Sequence, residues 1–284
     1  MQNIRKKLLS ILLTIIMIVT ALPMTASAED TVTVIEVSNA EELTTACSTI
    51  NENGGTYTIS MKADFEGSVS INNPNAVVTL VGNGHTLSGN TNFININHGT
   101  LNLGDGKTEL TLKGGSDNDN PGIVYIIYSD AVCNMYDKVT IKDHEGNTNL
   151  GGGVTVESGV FHMYGGTINN CGINGGSVAY GGGVAVYGGG SFIMDGGVIS
   201  DCYAQSEYID DQDPNRCFTA MGGGVFVTGG SSFTMNGGMI TNCYADAMGG
   251  GVAMVECGSY PSGYVTNTVT INGGVISGNT SGYG

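Results

Sequence analysis

The residues able to do chemistry are few in this 284-residue chain, and the tightest group is Asp210-Asp211-Gln212-Asp213. Carboxylates at such spacing offer the hard oxygen ligands that calcium takes, so Asp210, Asp211 and Asp213 are candidate calcium ligands. Paired carboxylates also serve glycoside hydrolysis, while the plainer reading of the segment Gln205 to Met221 is a solvated acidic loop. Tyr203 and Tyr244 each follow a cysteine in successive repeats and form a candidate stacking platform for sugars; stacked tyrosines can equally serve only to steady parallel strands. His85, His98, His144 and His162 are dispersed and no Cys-x-x-Cys occurs, which argues against zinc. The stretch Gly181 to Ser191 contains paired glycines but lacks a strand-to-helix context and any phosphate-binding lysine. Neither a catalytic nor a cofactor-binding residue is assigned.

The elements that must position these side chains follow from an internal repeat. Four copies of one phrase run Phe161, Met163, Gly165, Gly166, Ile168, Cys171; Phe192, Met194, Gly196, Gly197, Ile199, Cys202; Phe233, Met235, Gly237, Gly238, Ile240, Cys243; and Val269, Ile271, Gly273, Gly274, Ile276, Asn279. Weaker apolar pairs precede them at Val78 and Leu80, Leu101 and Leu103, and Val139 and Ile141, giving steps of 23, 38, 22, 31, 41 and 36 residues. A minimum near 22 with irregular excess predicts one coil of three short strands with loops of variable length, a stacked solenoid. Alternation places both valines of Val184-x-Val186 and of Val225-x-Val227 on one side of a strand. The phenylalanines and methionines are read as an internal column. Cys171, Cys202 and Cys243 occupy one repeat position and are read as free, buried thiols acting as small hydrophobes, because in-register side chains point the same way and fit a disulfide torsion poorly. Asn279 at that position predicts an amide hydrogen bond to the neighbouring coil. Cys133, Cys217 and Cys257 fall near or inside insertions, and their pairing is not read.

The ends and the composition bound the rest. Residues 1–28 combine Arg5, Lys6 and Lys7 with an apolar run from Leu8 to Leu22 and Ala26-Ser27-Ala28, the pattern of a signal peptide cleaved after Ala28. The mature chain is expected to be secreted or cell-surface, without membrane insertion. Residues 29–50 read as a lead-in strand from Val32 to Val37 and a short capping helix, opened by the box Ser38-Asn39-Ala40-Glu41 and running through about Cys47 with Leu43 and Ala46 on one face. Residues 51–284 read as the repeats, and the chain, ending one step after a phrase, is expected to be a fragment of something longer. The formal charge is −16, and −19 without residues 1–28, which carry three of the nine basic residues and none of the acidic ones. Such a balance disfavours nucleic acid as a partner, since that binding rests on clustered Lys and Arg. Glycine is 47 of 284 residues but is punctuated by Val, Ile and Phe, which disfavours collagen.

The capping helix, the segment Val81-Gly82-Asn83-Gly84-His85-Thr86-Leu87 and the glycine-pair phrases together resemble right-handed parallel β-helix proteins of the pectate-lyase-like superfamily. Within that superfamily the chain is similar to glycine-rich, adhesin-like surface proteins of Gram-positive anaerobes. The resemblance covers roughly residues 32–284 and implies an all-β, right-handed parallel β-helix with a short N-terminal capping helix. It leaves function open, since one fold hosts lyases, hydrolases and binding proteins. Lyases of this fold pair calcium-binding carboxylates with an arginine or lysine base, yet Lys62, Lys107, Lys113, Lys138, Lys142 and Arg216 all lie outside the regular coils from Gly151 to Ala204. The adjacent aspartates echo one piece of the polygalacturonase signature without its companions. The leading expectation is therefore a non-catalytic β-helix presenting loops and a strand face to polysaccharides or to host or neighbour surface proteins. A carbohydrate-active enzyme built on Asp210 to Asp213, or a structural stalk of a larger surface protein, are the alternatives.

Overall fold

The computed structural model describes residues 32–90, 92–117, 122–147, 149–175, 178–206, 219–256, 258–259 and 263–282. Residues 1–28, read from the sequence as a signal peptide, and Asp210, Asp211, Asp213, Arg216, Cys217 and Cys257 lie outside the described residues. Among the described residues no helix is long and apolar enough to cross a membrane.

The chain opens with strand β1 (Thr33–Val37) and helix α1 (Ala40–Asn53). Asn39 caps α1 by accepting the Glu42 amide at 3.0 Å, and Glu42 reaches back to the Ser38 amide at 2.7 Å. The box is thus shifted one residue from the predicted Ser38 and Glu41 pairing, because Asn is as good an N-cap as Ser and sets Glu42 at the third helical position. The helix also runs beyond Cys47. It continues to Gly54, whose φ of 62° and bond to the Ile50 carbonyl stop it. Leu43, Ala46, Cys47 and Ile50 are buried, so α1 closes the end of the apolar core as a lid.

From Gly55 onward the protein is a parallel β-helix. Each coil contributes to three sheets in turn, as in Ser191–Met194, then Val198–Ser200 with Tyr203–Ser206, then Val225–Thr228. The first sheet holds nine strands among the described residues, each paired in parallel with its equivalent in the next coil. Phe161, Phe192, Phe233 and Val269 are register partners, as are Met163, Met194, Met235 and Ile271. The valines after each glycine triplet, Val154, Val184, Val225 and Val252, form a column in the third sheet.

One predicted register is wrong. Val78 and Leu80, and Leu101 and Leu103, do lie in the first sheet, but Val139 and Ile141 belong to the second, opposite Leu110 and Leu112. The first-sheet strand of that coil is Ala131–Met135, where Cys133 and Met135 pair with Phe161 and Met163. Cys133 is therefore a core residue and not part of an insertion. Cysteine packs as a small hydrophobe, whereas the sequence pattern weighs it below Val and Ile, so the more aliphatic pair drew the register.

Packing explains the repeat. The Phe161, Phe192 and Phe233 rings are fully buried and stacked, with centroids 5.1 and 4.9 Å apart. At the coil corners glycine is required by its neighbours: a Cβ on Gly182 would lie 2.2 Å from the Tyr203 carbonyl, and one on Gly223 2.2 Å from that of Tyr244. The position before each of Cys171, Cys202, Cys243 and Asn279 takes the left-handed conformation, with φ of 51° at Asn170, 54° at Asp201, 56° at Asn242 and 68° at Gly278. Asn, Asp and Gly tolerate that region best.

Among the described residues Cys47, Cys133, Cys171, Cys202 and Cys243 are free and buried, which for Cys171, Cys202 and Cys243 is the expected state. Cys171, Cys202 and Cys243 each donate to the carbonyl two residues earlier, at 3.4, 3.2 and 3.4 Å. Asn279 continues the column with its amide spanning two coils: its Oδ1 accepts from Cys243 N at 2.9 Å and its Nδ2 donates to the Ile240 carbonyl at 2.9 Å. His144, in register with Cys171 and buried, begins the column.

Two outcomes follow. Gly223→Ala should cost about 1–3 kcal/mol and Phe192→Ala about 3–5 kcal/mol, both read by urea denaturation. Burial raises the pKa of Cys47, Cys133 and Cys202, and a contact with Cys202 together with burial raises that of Cys243. Those four thiols should resist iodoacetamide in the native protein and react fully in urea, as mass spectrometry would show.

Candidate functional site

The outward side chains of the first sheet form ladders between coils. Asn134 donates to Asn102 Oδ1 at 2.8 Å and Asn102 to Thr79 Oγ1 at 3.3 Å. Further along, Asn272 donates to Asn236 Oδ1 at 2.8 Å and Asn236 to Asp195 Oδ1 at 2.7 Å, while His162 Nε2 meets Asp195 Oδ2 at 2.6 Å. The Tyr136 and Tyr164 rings stack beside this ladder, 5.2 Å apart and 7° from parallel. His162 lies 3.8 Å from the Tyr164 ring. Tyr136 and Tyr164 occupy the same place after the first-sheet methionine. This pair escaped the sequence reading because the misplaced register at Val139 and Ile141 hid Met135, and with it Tyr136.

Histidine–aspartate pairing between coils recurs. His85 meets Asp64 at 3.0 Å, and His98, stacked on Tyr128, meets Asp130 at 2.8 Å. The amide of Thr86 and the His85 ring hold Asp64 below the usual carboxylate range; the Asn236 amide and then His162 do the same for Asp195.

The outer face of the second sheet carries a cleft of about 350 Å³ lined by Lys113, Ser116, Asp143, Glu145, Asn170 and Tyr203. Its residues come from successive coils. Ser116 pairs with Glu145, Glu145 with Gly172, and Gly172 with Tyr203. Because Gly172 has no side chain, the Tyr203 ring lies across it, where a Cβ would fall 2.2 Å from the ring. The Tyr203 hydroxyl thereby reaches back two coils and donates to Glu145 Oε2 at 2.8 Å. Burial and that carboxylate raise the Tyr203 pKa, so the phenol stays protonated. Asn170 donates to Asp143 Oδ1 at 2.9 Å, and Lys142 Nζ stands 3.6 Å from Asp143 Oδ2.

The structure thus separates the two tyrosines in role. Tyr244 is the register partner of Tyr203 in the next coil, and its hydroxyl is engaged by Asp246. Tyr203 walls the cleft, beside Lys113, Asp143, Glu145 and Asn170, none of which sequence reasoning had grouped with it. Asp210, Asp211 and Asp213 lie outside the described residues, and among the described residues no group of three or more His, Cys, Asp or Glu side chains is arranged to hold a metal ion.

A second cavity, about 460 Å³, opens on the outer face of the third sheet between Leu150, Tyr180, Tyr187, Met221, Phe226 and Val255. Beside it Tyr187 shares a hydrogen bond of 3.1 Å with Tyr125, whose hydroxyl donates to Glu157. Comparison with protein-family models, curated proteins and solved structures gave no match to this chain.

The depressed pKa of Asp195 sets a sign for acid stability. A carboxyl with a lower pKa folded than unfolded stabilises the fold above its unfolded value of about 3.9, and that stabilisation is lost as pH falls through the folded value. Wild-type melting temperature should therefore fall as pH drops below about 4, and Asp195→Asn should make that fall slightly shallower while slightly lowering the melting temperature at pH 7. Melts between pH 2 and pH 7 check both.

Proposed function

We propose that the protein is a secreted or cell-surface, adhesin-like member of the pectate-lyase-like β-helix group that binds glycans or partner proteins without transforming them. The observation that carries this reading is the ordered outer surface. Ladders of Asn, Asp, His and Thr on the first sheet hold polar groups in a fixed, repeating array, with Tyr136 and Tyr164 stacked beside them. Pre-ordered amides and carboxylates bind with little further loss of side-chain freedom, and a repeating array suits a repeating ligand. The leader-like segment 1–28 and the strongly acidic balance support a life outside the cytoplasm.

One observation favours the enzymatic alternative: Lys113 lies in the same cleft as Asp143 and Glu145, bringing a cation and two carboxylates together as polysaccharide cleavage would need. Residues 29–284 offered to a polysaccharide panel decide between the two. Retention on one or more polysaccharides with no release of reducing or unsaturated ends is the expected result; new ends that disappear in Lys113→Ala would establish the enzyme instead.

A further inference from the structure

We infer that the Tyr203 cleft is a subsite for a single neutral hexopyranose ring, an inference that rests on the glycan half of the function proposed above. Its volume of about 350 Å³ lies at the small end of ligand sites, the scale of one sugar unit. A pyranose presents an apolar C–H face and a rim of hydroxyls. The cleft offers an aromatic wall in Tyr203 and polar groups of both kinds around it: Asp143 and Glu145 accept, while Lys113 and Asn170 donate.

The acceptors are set in advance. Glu145 takes the Tyr203 hydroxyl on Oε2 and the Asn174 amide at 3.4 Å on Oε1, and Asp143 takes Asn170. Each carboxylate oxygen retains a lone pair for a sugar hydroxyl, and hydrogen bonds to ionised acceptors are the stronger kind. Charge then selects the ligand. Lys113 and its register partner Lys142, the latter beside Asp143, do no more than balance the two carboxylates, on a chain of net charge −16. A uronate or a sulfated sugar would bring a third anion against them and lose affinity by like-charge repulsion. A neutral ring meets no such penalty.

Saturation-transfer NMR on residues 29–284 tests this with methyl glucoside, methyl galactoside and methyl mannoside, each as both anomers, against methyl glucuronide. Transfer to at least one neutral glycoside is expected, with markedly less to the glucuronide. Glu145→Gln and Tyr203→Ala should each weaken it about tenfold or more, the loss that follows removal of a charge-assisted hydrogen bond or its partner. Glu145→Gln keeps the side-chain volume and an acceptor for Tyr203, so it reports on the cleft even if Tyr203→Ala melts early. Tyr128→Ala, an exposed ring outside the cleft, should leave transfer unchanged. Equal transfer in all variants, preference for the glucuronide, or no transfer to any methyl glycoside would overturn the subsite. A glycan array run in parallel separates the two ideas: wild-type capture that the cleft variants share removes the subsite alone, and no wild-type capture removes the glycan reading with it.

Discussion

Parallel backbone pairing at a spacing of about 4.8 Å places every side chain of one coil directly against its counterpart in the next, and the rest of the structure answers to that constraint. A position must tolerate its own copy. Flat rings satisfy it inside, as Phe161, Phe192 and Phe233 show, and so do the small thiols at Cys171, Cys202 and Cys243. At the corners, where the backbone of one coil presses on the next, only glycine leaves room for the neighbouring carbonyl.

Outside, the same stacking acts on charge. Like charges in register repel, and here acids sit beside neutral or opposite partners: Asp195 between His162 and Asn236, and Glu145 between Ser116 and Gly172. This arrangement turns a strongly acidic chain into separate hydrogen-bonded ladders. Polar chemistry on this fold is therefore assembled across coils, and a cleft such as that of Tyr203 is made where one coil lacks a side chain.

Much of the architecture was legible before any coordinates. The phrase around each glycine pair marked the first and second sheets, the glycine triplets marked the third, and the chemistry of Asn279 announced its bridge to the preceding coil. The reading failed where a core position was filled by an atypical residue: Cys133 and Met135 stood in for the usual pair, and the more aliphatic Val139 and Ile141 were taken in their place. The helix end was missed for a local reason, since Gly54 and not the end of the apolar stripe terminates α1.

What the sequence alone determined is what repeats, namely the fold class, the inward columns, the free thiols and the glycine corners, because periodic stacking writes the same physical demand into every copy. The cleft was decided only in three dimensions. Lys113, Glu145 and Tyr203 stand in different coils separated by loops of unequal length, so no spacing along the chain joins them. The group that brings Tyr203 onto Glu145 is an absence, the missing side chain of Gly172, visible only once the coils are laid in register.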